Sequence, residues 1–81
     1  MELKDTIELM NNADYKERYK GEYYQVKIRS EKLEAMLEKY KAGKLNFTPS
    51  CSYELLHEQL VYMEGYMRIL EKRAKIENVA I

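Results

Sequence analysis

The chain has 81 residues, of which 46% are hydrophobic and 35% are charged, and fourteen basic residues balance fourteen acidic ones. A chain of this length forms one domain at most and buries only about 60–65% of its unfolded surface, so an isolated core is marginal. The zero net charge disfavours a non-specific nucleic-acid binder, no apolar run approaches the length of a membrane span, and one cysteine with one histidine makes no zinc pattern.

The N-terminal residues alternate charged and apolar side chains, so they do not resemble a signal peptide. Cys51 is the single cysteine and forms no internal disulfide. We therefore expect a cytoplasmic protein without a metal or a cofactor.

A short first helix is predicted over residues 2–11. Leu3, Ile7 and Met10 recur at helical spacing and are expected to share one face. The Asn-Asn pair that follows ends this helix.

A second, long helix is predicted from about residue 13 to residue 41. Asn12 or Asp14 can cap its start, and Gly43 suits the left-handed position that ends a helix. Residues that are apolar, or that a buried seam can tolerate, recur in this helix at alternating spacings of four and three, the period of a coiled-coil seam. They are Tyr19, Tyr23, Val26, Ser30, Leu33, Leu37 and Tyr40.

Residues 43–52 form the predicted connecting loop. Glycine, proline and serine residues in this segment favour irregular structure. Leu45 and Phe47 are expected to be tucked against the helices as a plug.

A third helix is predicted from about residue 53 to residue 78, with Ser50 or Ser52 as its cap. Two helices of similar length with a short connection pack antiparallel, with arms about 40 Å long. We therefore predict an all-α fold in a single domain, residues 1–81, with a short N-terminal helix followed by a long antiparallel helical hairpin. The seam of the third helix repeats the spacing of the second: Leu56, Leu60, Met63, Met67, Leu70 and Ala74.

The third helix carries more apolar residues than one partner helix can cover. A second apolar stripe beside its seam repeats every seven residues, and two further residues add apolar area on the second helix. The first helix can cover one such patch, and the remainder predicts a homo-oligomer. The predicted interface residues are Leu55, Tyr62, Ile69 and Ile76 on the third helix, and Tyr24 and Ile28 on the second.

A polar line at Gln59, Tyr66 and Arg73 runs between the two apolar stripes of the third helix. In one interpretation it lines a ligand pocket at a subunit interface. In the other, Gln59 and Arg73 satisfy neighbouring polar groups while Tyr66 packs.

The end of the hairpin where the second helix starts and the third helix ends is rich in basic and aromatic residues. Lys27, Arg29 and Tyr15 belong to this open half, and such cations and rings suit phosphates and bases. Acidic residues lie in the same stretches, so ordinary pairing on a solvated face is the alternative interpretation.

No residue pattern indicates catalysis. His57 and Cys51 have no partner at a suggestive spacing, and they are interpreted as structural residues. Gly21 and Gly65 lie inside helices, where each allows close backbone contact with the first helix, a neighbouring subunit or a ligand.

Two motifs cover roughly residues 15–75. Together they resemble the two arms of a family of small phage proteins with a helical-hairpin domain, which includes the anti-CBASS and anti-Thoeris sponges and many gut-phage proteins. The motifs are Tyr23-x-x-Val26-Lys27-x-Arg29-Ser30-x-x-Leu33-x-x-x-Leu37 and Leu55-Leu56-x-x-Gln59-Leu60-x-x-Met63-x-x-Tyr66-x-x-Ile69-Leu70-x-x-Arg73.

This resemblance implies an oligomer, often a hexamer, that captures cyclic nucleotide or cyclic ADP-ribose immune signals without cleaving them. By position, Arg73 matches a late arginine of the family, Lys27 and Arg29 match basic positions of the first arm, and Tyr66 matches an aromatic position. Some members also use a tyrosine ahead of the first arm, for which Tyr15 is the candidate, although the preceding helix departs from their pattern.

The function implied is a phage anti-defence sponge acting in the host-cell cytoplasm. The alternative is a protein-interaction module that binds a phage or host protein through its apolar helix faces.

Overall fold

The computed structural model describes residues 1–81 and confirms an all-helical chain without strands. A 3-10 turn, Leu3–Asp5, leads into helix α1, Thr6–Met10. The long helices are α2, Tyr15–Lys41, and α3, Tyr53–Glu77. They pack on each other, and the molecule measures 43 × 24 × 16 Å.

Helix α2 has a well-defined cap at each end. Asp14 is the N-cap, and its carboxylate accepts a hydrogen bond of 2.9 Å from the backbone N–H of Lys16. At the other end Gly43 has a φ of +69°, and the N–H of Lys44 donates to the carbonyl oxygen of Lys39 at 2.8 Å. With a second bond of 3.1 Å from the N–H of Gly43 to the carbonyl oxygen of Tyr40, these are the bonds of a Schellman motif, so the predicted stop at Gly43 is confirmed.

Helix α3 begins at the predicted cap, Ser52, and the residues that follow its last turn fold back onto the core. The hydroxyl of Ser52 accepts a hydrogen bond of 3.2 Å from the N–H of Leu55. After Glu77 the chain reverses through Asn78 in the left-handed conformation, with a φ of 59°. This turn buries Val79, a core residue that the helical pattern did not identify.

The predicted seams form the core of the hairpin. On α2 the seam residues are buried except Leu33 and Tyr40, which are half-buried, and on α3 Leu60, Leu70 and Ala74 are buried. The hydroxyl of Ser30 contacts the sulfur of Met67 at 3.3 Å, so the polar position in the α2 seam faces a thioether.

Helix α1 packs on α2, and Gly21 makes this possible. A Cβ atom at Gly21 would lie 2.8 Å from Met10 Cγ and 3.0 Å from Leu9 Cβ. The turn between the helices is held by Arg18, whose Nη1 donates to the carbonyl oxygens of Asn12 and Ala13.

The predicted inner face of the first helix is partly wrong. Ile7 and Met10 are exposed, whereas Thr6 is buried and Leu3 and Leu9 are half-buried. The segment begins as a 3-10 turn, which repeats every three residues rather than every 3.6. Leu3, Thr6 and Leu9 therefore share the packed face, and Met10 also contacts Gly21 although it remains 41% exposed.

The loop does not form the predicted plug. Leu45 is half-buried, but the side chain of Phe47 is 53% exposed.

No helix is both long enough and apolar enough to cross a membrane.

Candidate ligand-binding site

Tyr19 forms a fixed aromatic platform at the open end of the hairpin, where α2 begins and α3 ends. Its ring is buried, and its hydroxyl donates a hydrogen bond of 2.6 Å to the carbonyl oxygen of Leu70. That bond joins the two long helices and fixes the position of the phenol oxygen, and burial restricts the orientation of the ring. Tyr15 packs edge-on against this ring, with the ring centroids 6.1 Å apart.

Arg73 lies above the Tyr19 ring. Its guanidinium carbon is 5.3 Å from the ring centroid, within the range of a cation–π contact. Its Nε donates a hydrogen bond of 2.8 Å to a carboxylate oxygen of Glu77, one turn further along α3. The side chain remains about half exposed, and its terminal N–H groups make no hydrogen bond within the chain.

We call the group formed by Arg73, Tyr19, Tyr15 and Glu77 the open-end cluster. These side chains suit the binding of a ligand rather than its chemical conversion. A guanidinium fork binds phosphate or carboxylate oxygens, and the exposed ring of Tyr15 can stack on a flat ring. Glu77 neutralises part of the charge and orients the fork.

Tyr23 lies one turn after Tyr19 and has a structural role. Its ring is buried, and its hydroxyl donates a hydrogen bond of 2.5 Å to Oε2 of Glu71. Burial, followed by this hydrogen bond and the negative charge of Glu71, raises the pKa of Tyr23 to about 12. Tyr23 is therefore a neutral donor in a second link between α2 and α3.

Lys27 and Arg29 do not join Arg73 within one chain. At about 1.5 Å per residue, they lie about 12 Å and 15 Å along α2 from Tyr19. They are also about 200° apart around the helix, so they face different sides. Lys27 is half-buried, and the exposed Arg29 donates from Nη1 to Oε1 of Gln25 at 3.3 Å.

Gln59 and Tyr66 line a separate groove on α3 with a volume of about 570 Å³. The amide nitrogen of Gln59 lies 3.9 Å from the sulfur of Met63, and Tyr66 is partly exposed. The groove is continuous with two predicted interface residues, Leu55 and Tyr62, which also line it. The predicted polar line is thus divided into this groove and the open-end cluster.

The apolar stripe of α3 is open to solvent. Leu55, Tyr62, Ile69 and Ile76 are between 56% and 80% exposed. On α2, by contrast, Tyr24 and Ile28 are half-buried and lie on the same face as Gly21, towards α1. The largest unpartnered apolar surface is therefore on α3.

Two members of the open-end cluster were not predicted as site residues. Tyr19 was counted in the seam and among the aromatic residues of the open half, but it was not chosen as a ligand-binding residue. Glu77 lies four residues after Arg73, a spacing that predicts an ion pair on a helix, so the sequence did contain that signal.

Comparison with known proteins identifies the family of this hairpin. The family model described as Sequestin matches residues 13–76. No curated protein and no solved structure is similar to the chain at a significant level. The match takes in both long helices, the groove and most of the open-end cluster, and it agrees with the resemblance of the two arms. The chain therefore belongs to the Sequestin family, whose name suggests a protein that binds and sequesters rather than an enzyme.

Proposed function

We propose that this protein is a phage anti-defence sponge. It binds a cyclic-nucleotide or cyclic ADP-ribose immune signal in pockets between subunits and withholds it without cleavage. The observation that carries the proposal is the guanidinium of Arg73, held over the fixed ring of Tyr19. In this role Arg73 binds phosphate, and Tyr15 and Tyr66 contact the bases.

The open-end cluster supports this role because its geometry is set before a ligand arrives. The Tyr19 hydroxyl is bound to the backbone of α3, and Glu77 holds one side of the guanidinium. A preformed site loses little conformational entropy on binding, which favours affinity. Buried phosphates also require paired cations, and Arg73 offers its free N–H groups for them.

The separation between the cations supports a site shared by subunits. Arg73 and either Lys27 or Arg29 lie too far apart along the hairpin to grip one small phosphate within a chain. Association through the apolar stripe, Leu55, Tyr62, Ile69 and Ile76, would bring a second chain beside the groove that contains Gln59 and Tyr66. A cation from that second chain then completes the pocket.

The test measures ligand binding and assembly separately. Native mass spectrometry with cyclic di- and trinucleotides and cyclic ADP-ribose isomers should give a ligand-bound oligomer. A ligand at about one hundred times its Kd adds about 2.7 kcal/mol to stability, a rise in Tm of about 10–20 °C for a domain of this size.

Arg73→Glu should abolish that rise in Tm and leave the oligomer intact. Arg68→Glu is the matched control, because it reverses the same charge on an exposed residue of α3 that makes no ion pair. An equal loss in both variants, or no binding by any ligand tested, would contradict the proposal.

A second candidate function is favoured by the exposed apolar stripe. In this alternative the hairpin is an interaction module that binds a phage or host protein through α3. Ile69→Asp or Tyr62→Asp should then abolish partner binding, measured by calorimetry, while Arg73→Glu has little effect. Sensitivity to Arg73→Glu instead would favour the sponge.

A further inference from the structure

A cationic cavity lies at the closed end of the hairpin, on the side of α2 that the connecting loop covers. It has a volume of about 430 Å³ and is bounded by the last turns of α2 and by Lys44 to Phe47 of the loop. Three lysines line it, Lys32, Lys39 and Lys44, and no acidic residue does. This site is separate from the open-end cluster and does not depend on the function proposed above.

The lysines of this cavity make no ion pair, and two of them have no acidic neighbour at helical spacing with which to form one. Lys20 pairs with Glu17, and Arg73 pairs with Glu77, each one turn away. By contrast, Lys32 and Lys39 have no acidic residue three or four positions away on either side. None of the three cavity lysines takes part in an ion pair.

The helix dipole explains only part of this charge. A cation in the last turn of a helix is stabilised by the carbonyl end of the dipole, which applies to Lys39 and Lys41. Lys32 lies nine residues before the end of α2, about 13 Å away, where that effect has vanished. The helix dipole therefore does not account for all of the positive charge that lines the cavity.

Apart from Asn46, the rest of the cavity lining is apolar. Met36 lies one turn after Lys32 on α2, and Phe47 of the loop, 53% exposed, faces the same space with Leu45. A thioether and a phenyl ring contact flat rings well, and lysine ammonium groups bind phosphate as point charges. A volume of this size lies within the range of small-ligand sites.

We propose that this cavity binds a small phosphate ester carrying an aromatic ring, with its phosphate on Lys32, Lys39 and Lys44. The ring lies against Phe47 and Met36. Unlike the pocket between subunits, this site is complete within one chain.

The test uses adenosine 5′-monophosphate as the probe and the methionine methyl groups as reporters. In protein labelled with ¹³C at these methyls, the Met36 signal, assigned with Met36→Leu, should shift and saturate below about 1 mM. The Met63 signal reports on the α3 groove and the Met67 signal on the hairpin core, and neither signal should shift. Adenosine and inorganic phosphate, each tested alone, should bind much more weakly.

Lys39→Gln should weaken binding of the probe about tenfold, because it removes one charged contact with the phosphate. Lys41→Gln is the matched control, since it removes a cation from the same last turn but lies outside the cavity. Lys32→Gln provides a second variant away from the helix end.

The proposal is overturned if the Met36 signal does not move or if only Met63 moves. It is also overturned if Lys41→Gln weakens binding as much as Lys39→Gln, or if adenosine or phosphate alone binds as well as the nucleotide.

Discussion

Replacing Gly21 with alanine adds one methyl group where α1 crosses α2. The new Cβ would lie 2.8 Å from Met10 Cγ and 2.9 Å from the Met10 backbone nitrogen. The methionine side chain can rotate away, but the backbone nitrogen can move only if the whole of α1 moves. Gly65→Ala is the matched control on α3, because its nearest neighbour is the flexible end of Arg68 at 3.8 Å.

Two opposing effects set the size of the change in unfolding free energy. Alanine stabilises a helix interior by about 1 kcal/mol relative to glycine, and this gain applies at both positions. Forcing a packed contact apart costs about 1–3 kcal/mol, and this cost applies only at Gly21. The net change for Gly21→Ala is therefore a loss of up to about 2 kcal/mol, whereas Gly65→Ala should gain about 1 kcal/mol.

Thermal and urea unfolding at one fixed protein concentration will measure this difference, since association makes Tm depend on concentration. For a domain of this size, 1 kcal/mol corresponds to about 4–8 °C, so the packing cost of about 1–3 kcal/mol should separate the two variants by at least about 4 °C. If Gly21→Ala melts at or above the temperature of Gly65→Ala, α1 is not seated on Gly21 and the reasoning fails.

Two further predictions concern the contributions of Tyr23 and Gly43 to stability. In the folded chain Tyr23 has its pKa raised to about 12 from an ordinary 10, so its contribution is fully present below pH 10 and is lost between pH 10 and 12. Urea unfolding at pH 8 and pH 11 should show a steeper loss for the native protein than for Tyr23→Phe, and equal losses would contradict the assigned pKa. Gly43→Ala should lower the free energy of unfolding by about 1 kcal/mol because φ is +69°, although nothing lies within 4 Å of the new methyl group. Gly43→Asn should lower it less, because asparagine tolerates the left-handed conformation better. If Gly43→Ala left the free energy of unfolding unchanged, the backbone strain at this position would be refuted.

Local signals predicted the hairpin well because each acts within a few residues. A side chain at Asp14 or Ser52 can cap only the helix that starts beside it, and Gly43 adopts a backbone conformation that other residues avoid. The alternating steps of four and three likewise require that one face of each long helix be buried. These features gave the helix bounds to within a few residues and nearly all of the core.

The candidate site was predicted as a set of residues but not as an arrangement. Arg73, Gln59 and Tyr66 share a face of α3 in the helical pattern, yet Arg73 reaches Tyr19 on the other helix while Gln59 and Tyr66 line a groove. Spacing along one helix says nothing about the register between two helices. That register decides which side chains meet.

The amino-acid sequence alone determined the three helices, their caps and the buried seams, because these depend on local geometry and periodic burial. Only the tertiary structure decided which side of α1 is packed, that Gly21 is a point of contact, and that Phe47 is exposed. Each of these depends on how separate segments approach one another, and packing between segments distant in the sequence follows no short-range pattern.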